Sequence, residues 1–153
     1  MHRYLSMLVA ATLTVCTADA SPQQTTYNFR DALDAIRLVE TGGQPNDGVG
    51  SRGDNGNALG PYQIWKSYHT DAAERDASLK DYSRCLTSKD YSERVVRAYM
   101  RRYARAEMQR LEAGTATLAD VEKIARRHNG GPRGDRKTAT LAYWKKVRAN
   151  LNR

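Results

Sequence analysis

Apolar residues recur along most of this chain at the spacing of helices. Phe29, Leu33 and Ile36 lie four and three apart, one face of a helix, with Asn28 placed to cap its start and Asp31 to favour its first turn. Gly42-Gly43 stop it. Residues 41–60 break the pattern: glycines fall at 42, 43, 48, 50, 53, 56 and 60, many separated by Asn or Asp, which suits turns and a short hairpin. A short helix is predicted around 66–73. The longest helical pattern covers 91–113, with Ser92 as its N-cap and Val95, Val96, Tyr99, Met100, Tyr103 and Leu111 as its apolar stripe; Gly114 ends it. Thr117 caps a further helix that turns Leu118, Val121, Ile124, Ala125 and His128 inward and stops at Gly130-Gly131. Thr138 opens the last helix, with Leu141, Trp144, Val147 and Leu151 along one side. The pattern predicts a mainly helical chain with one glycine-rich excursion after the first helix.

The first twenty residues differ from the rest. A basic start at His2-Arg3, an apolar-to-neutral stretch over 7–15 and the small residues of Ala18-Asp19-Ala20 predict a secretory signal cut after Ala20. The expected location is therefore secreted or periplasmic. Residues 21–27 are polar and read as a flexible lead-in, leaving 28–153 as the domain. No apolar run approaches the ~18 residues of a membrane span. Twenty-five Lys and Arg against seventeen Asp and Glu give a net charge of +8, which draws the protein to polyanions. The basic run over 94–110 reads most simply as the solvated face of a helix, and no specific nucleic-acid partner is expected. Two cysteines exclude a disulfide-dense scaffold and a cysteine-based zinc site; Cys85 reads as a small buried hydrophobe. Asp54-Asn55-Gly56-Asn57 resembles the start of a calcium loop but has no acid at its twelfth position, so neither metal nor cofactor is expected.

Glu40 is the most informative residue. It takes the next position on the stripe of Phe29, Leu33 and Ile36, and it sits in the last helical turn. Desolvation and the negative end of the helix dipole both favour its protonated form. A carboxyl that keeps its proton near neutral pH can act as a general acid. A glutamate rotated into water, or paired with Arg37, fits the same spacing. Glycoside hydrolysis also needs a second carboxylate that stays ionised in a wetter setting. Asp54 and Asp47 both lie in the glycine-rich stretch and are candidates.

Several stretches also carry a family pattern. Val95-Val96-Arg97-Ala98-Tyr99-Met100-Arg101-Arg102-Tyr103 resembles the VRAYMxRY helix of invertebrate-type lysozymes, the family that includes destabilase. Ala125-Arg126-Arg127-His128-Asn129-Gly130-Gly131-Pro132-Arg133-Gly134 is similar to that family's ARxHNGGPxG signature, and the stretch from Thr138 to Val147 to its closing SATxxYWxKV helix. Upstream, Val39-Glu40-Thr41 resembles VES, and Leu59-Gly60-Pro61-Tyr62-Gln63-Ile64 resembles CGPYQI.

The resemblance implies a lysozyme-like α+β fold, mainly helical, and a muramidase that cleaves the β-1,4 bond between N-acetylmuramic acid and N-acetylglucosamine in peptidoglycan, with retention of configuration. It puts Glu40 on the catalytic glutamate and makes Asp54 the best candidate for the catalytic aspartate. Tyr62, Gln63, Ile64, His128, Asn129 and Gly130 would bind substrate, and a monomer is expected. The chain also departs from the family. Only Cys85 survives at a family cysteine position, and the Glu40–Asp54 interval is longer than usual. The serines tied to isopeptidase activity in some members are replaced by Gly56 or Asn57 and by Ala58, and the lysine by Trp65, so that activity is not expected. A chitin-directed hydrolase, and a non-catalytic cationic wall-binding or antimicrobial protein, are the alternatives.

Overall fold

A computed structural model describes residues 25–151. The first helix, α1 (Phe29–Thr41), is closed at both ends by local chemistry. The Asn28 side chain accepts from the amides of Arg30 and Asp31 at 2.7 and 3.1 Å, while Asp31 accepts from the Asn28 amide at 2.8 Å. Gly42 adopts φ 60°, a left-handed conformation that lets its amide reach the Leu38 carbonyl.

The glycine-rich stretch folds as a small antiparallel sheet of β1 (Arg52–Gly53), β2 (Ala58–Leu59) and β3 (Ile64–Trp65), in that order. Leu59 pairs with Arg52 on one side and Ile64 on the other. Six helices follow: α2 (Lys66–Ala73), α3 (Arg84–Thr87), α4 (Lys89–Tyr103), α5 (Arg105–Glu112), α6 (Leu118–Gly130) and α7 (Leu141–Asn150). α1 packs on α7, α4 on α2, and α6 on both α5 and α7. Leu33, Ile36, Val95, Val96, Met100, Ile124 and Val147 fill the space between them. Tyr68 of α2 stacks on Tyr99 of α4 with ring centroids 3.6 Å apart.

The sheet is fastened to the helices at Gly60. Its φ is 70°, and a β-carbon there would lie 1.8 Å from the Cys85 carbonyl oxygen, so only glycine fits between the sheet and α3. The Gly50 amide donates to the Leu86 carbonyl at 2.8 Å, and the Tyr82 hydroxyl lies 2.8 Å from both the Asn57 and Ile64 carbonyl oxygens. Cys85 itself is fully buried, and burial pushes its thiol up to about 12. It is a packing residue, as the sequence suggested.

Four local features depart from the periodicity. The pattern over 91–113 is two helices, broken at Ala104 (φ −141°, ψ 45°), because the Arg127 guanidinium takes the Tyr103 carbonyl that a continuous helix would use. α4 is capped by Ser88 rather than Ser92; the Ser92 hydroxyl is buried and bonds the Cys85 and Ser88 carbonyls. Residues Thr138–Thr140 form a 3-10 turn, and α7 starts after it with Leu141 39% exposed, off the face that buries Trp144, Val147 and Leu151. Tyr27, read as part of the flexible lead-in, is instead buried and exchanges two backbone hydrogen bonds with Ala116. The segment 1–20, with its expected signal, lies outside the described residues. Among the described residues no helix is long and apolar enough to cross a membrane.

Candidate active site

Glu40 faces neither the apolar core nor open solvent. Its side chain is 17% exposed. Oε1 accepts a hydrogen bond from the Tyr143 hydroxyl of α7 at 2.6 Å, and His128 Nε2 of α6 lies 3.4 Å from the same oxygen. Burial, reinforced by the Glu40 charge, pushes the Tyr143 phenol well above its usual range, so it stays a neutral donor. The alternative pairing with Arg37 does not occur; that guanidinium turns to Asp47 at 3.1 Å.

His128 is held from both sides. Nε2 lies 3.1 Å from the Tyr62 carbonyl oxygen, which can only accept, so Nε2 carries the hydrogen. Nδ1 lies 3.3 Å from the Tyr68 hydroxyl, which donates to it in the neutral ring. The N–H of the neutral ring is thus committed to the Tyr62 carbonyl, and the imidazole edge stands beside Glu40 in a fixed orientation.

Asp54 stands at the turn between β1 and β2, with φ 48° at Asp54 and 55° at Asn55. The Asn57 amide and side chain both donate to the Asp54 carbonyl oxygen, at 3.1 and 3.0 Å, and hold this left-handed turn. The backbone is thereby tied down while the carboxylate stays exposed. Glu40, Asp54, Ala58, Gln63, Trp65, His128 and Asn129 line one depression of about 260 Å³. Asp47 lies elsewhere, between Arg37 and Lys89, and the Lys89 ammonium at 2.7 Å holds its carboxyl below the usual range.

Three residues expected to bind substrate do not lie on the surface of this depression. Tyr62 and Ile64 are 0% and 1% exposed, so their side chains form the back of the wall and not its surface. The Tyr62 phenol is drawn inward to Glu93, which also takes a two-pronged hydrogen bond from Arg30 at 2.6 and 2.8 Å. Gly130 does not line the depression; its carbonyl accepts from Lys137 and its α-carbon abuts Thr140. In their place the structure brings in Trp65, 46% exposed, and sets Tyr143 against Glu40. Trp65 stands out in the sequence as an aromatic where the family has lysine. No sequence signal ties Tyr143 to Glu40, because they are 103 residues apart.

An α+β fold with a small sheet beside a helical body, and two carboxyls meeting in one depression, defines a glycosidase-like class of protein. Residues 31–150 match the family described as Destabilase. An invertebrate-type lysozyme 6 of Caenorhabditis elegans is 35% identical over 80% of this chain and 87% of its own length. A lysozyme of Magallana gigas is 33% identical over 96% and 93%. The lysozyme of Meretrix lusoria, solved in complex with Aeromonas hydrophila PliI, superposes with a TM-score of 0.59 at 29% identity, covering 80% of this chain and 91% of that one. The chain belongs to the Destabilase family and is a lysozyme-type glycoside hydrolase.

Proposed function

We propose that this chain hydrolyses the β-1,4 bond between N-acetylmuramic acid and N-acetylglucosamine in peptidoglycan, with Glu40 as general acid and Asp54 as the second carboxylate. The observation that carries the proposal is the meeting of these two acids in one depression, one mostly buried and hydrogen-bonded, the other exposed at a turn. Oε1 of Glu40 is engaged by Tyr143 and faced by His128, so Oε2 is the oxygen that carries the transferable proton. That proton passes to the glycosidic oxygen as the bond to the anomeric carbon breaks, and the bonding pair leaves with the oxygen. Positive charge developing at the anomeric carbon meets the Asp54 carboxylate, which adds to it. Water then displaces Asp54 while Glu40, now a carboxylate, accepts the water proton. The O–H of Tyr143 stabilises Glu40 in that second role. Trp65 offers a ring face to a sugar, and the Gln63 and Asn129 amides offer polar partners. Secretion, suggested by the pattern of residues 1–20, belongs to the same proposal.

The test is digestion of purified peptidoglycan, followed by turbidity and by identification of the new reducing ends. Reducing N-acetylmuramic acid ends are expected. Reducing N-acetylglucosamine ends, or bound but uncut polymer, would overturn the assignment.

A further inference from the structure

A second concavity, of about 900 Å³, lies where α4, α5 and the segment after α2 meet. Six arginines line it: Arg75, Arg94, Arg97, Arg101, Arg102 and Arg105. Only two carboxylates, Asp76 and Glu112, share the lining, a formal excess of four positive charges. None of its lining residues belongs to the Glu40 depression. Arg97 lies over the Phe29 ring at the start of α1, with 4.1 Å between guanidinium carbon and ring centre. Glu40 is at the other end of that helix, roughly 16 Å away at 1.5 Å per residue. The two sites are separate and rigidly connected.

Arg102 is paired with Glu74 and lies 3.9 Å from Asp71, both outside the lining, so the groove and its immediate surroundings keep a net excess of two positive charges. Arg94, Arg97 and Arg101 fall on one face of α4 and form a row about 10 Å long. Glu112 accepts from both Arg97 and Arg101, at 2.6 and 2.7 Å, so one carboxylate orients two guanidinium groups. Asp76 lies 3.6 Å from Arg94. Arg75 and Arg105 make no ion pair among the described residues. All the cations are arginine, whose planar fork matches the oxygens of a phosphate. No aromatic side chain lines the groove, so it has no platform on which nucleic-acid bases could stack. Ala77 and Ala98 are its only apolar residues, too little for a lipid surface.

We propose that this arginine groove binds a linear polyol-phosphate polymer of the bacterial wall, holding the enzyme on its substrate while the Glu40 depression works elsewhere on the same domain. The polymer chemistry follows from the groove; its place in the wall rests on the muramidase reading.

The test compares two triple variants of the full chain. Arg75→Gln with Arg101→Gln and Arg105→Gln removes three of the six groove arginines, and Lys145→Gln with Lys146→Gln and Arg148→Gln removes the same charge from the exposed face of α7. Binding of soluble poly(glycerol phosphate) is measured between 50 and 200 mM salt. The groove variant should lose at least ten-fold in affinity, and its logarithmic salt slope should flatten by about 2, at roughly 0.7 for each phosphate no longer neutralised. The α7 variant should stay within two- to three-fold of wild type. Equal weakening in both would overturn the proposal, because net charge alone would then explain the binding. Tighter wild-type binding to a single-stranded DNA homopolymer or a sulfated glycan than to poly(glycerol phosphate) would overturn the polymer class. On walls, the groove variant should be slower than wild type, and stripping the phosphate polymer should abolish the difference; a difference that persists overturns the tethering role. Cleavage of a short neutral oligosaccharide should be unchanged in the groove variant. If wild type cleaves none, the muramidase reading fails while the binding result stands independently.

Discussion

Replacing Glu40 by Gln removes one proton and almost no volume. The variant keeps a carbonyl oxygen where Oε1 stands, so the Tyr143 hydroxyl at 2.6 Å still has an acceptor. The Tyr143 hydroxyl donates to a neutral carbonyl oxygen in both the protonated acid and the amide, so the stability change should stay within about 1 kcal/mol. Catalysis should respond much more. Loss of a general acid removes a factor of about 10²–10⁴, or roughly 3–5 kcal/mol of transition-state stabilisation at 1.36 kcal/mol per decade. Turbidity loss of purified peptidoglycan, scored with reducing-end release and a thermal melt of the same sample, separates the two effects. The expected result is a melt close to wild type and cleavage at least ~100-fold slower. A well-folded variant turning over within ten-fold of wild type would refute the role given to Glu40, and with it the reading of Tyr143 as its support.

Asp54→Asn should abolish most cleavage while Asp47→Asn, which only loosens the pairing with Arg37 and Lys89, leaves it largely intact; initial rates on the same substrate decide, and the opposite ranking would reverse the assignment. Trp65→Ala should raise KM several-fold with little change in kcat, and oligosaccharide should quench wild-type tryptophan fluorescence; unchanged KM would remove Trp65 from substrate binding. Asp120 completes a reciprocal cap with Thr117 and accepts from Arg110, whose guanidinium holds the carboxyl well below its usual range. A depressed carboxyl stabilises the fold above the unfolded value near 3.9 and loses that contribution as pH falls further. Asp120→Asn should therefore cost about 2 kcal/mol at pH 7, and the gap to wild type should narrow in urea melts below about pH 4; a constant gap down to pH 2 would contradict it.

Features under short-range control are legible in the chain before it folds. Asn28 with Asp31 reads as a cap, and so does Thr117, because cap donors and acceptors lie within three residues of each other. The glycine-rich stretch reads as a hairpin region, and Glu40 stands out as a carboxyl on an apolar stripe at a helix end. The family motifs carry the rest of the identification. Whatever depends on partners far apart in the chain is settled only by packing. The break at Ala104 follows from Arg127, whose guanidinium bonds a carbonyl 24 residues earlier. Tyr27 is held to the fold by backbone pairing with Ala116, far along the chain. Tyr62 looks like a cleft residue in its motif, but Glu93 and the enclosing core draw it inside. Glu40 acquires its hydrogen-bond partner from α7, and Asp54 comes to the same depression because Gly60 lets the sheet close against Cys85. Periodicity reports which face of an element is apolar; it is silent on which distant donor will meet which acceptor once those faces are packed.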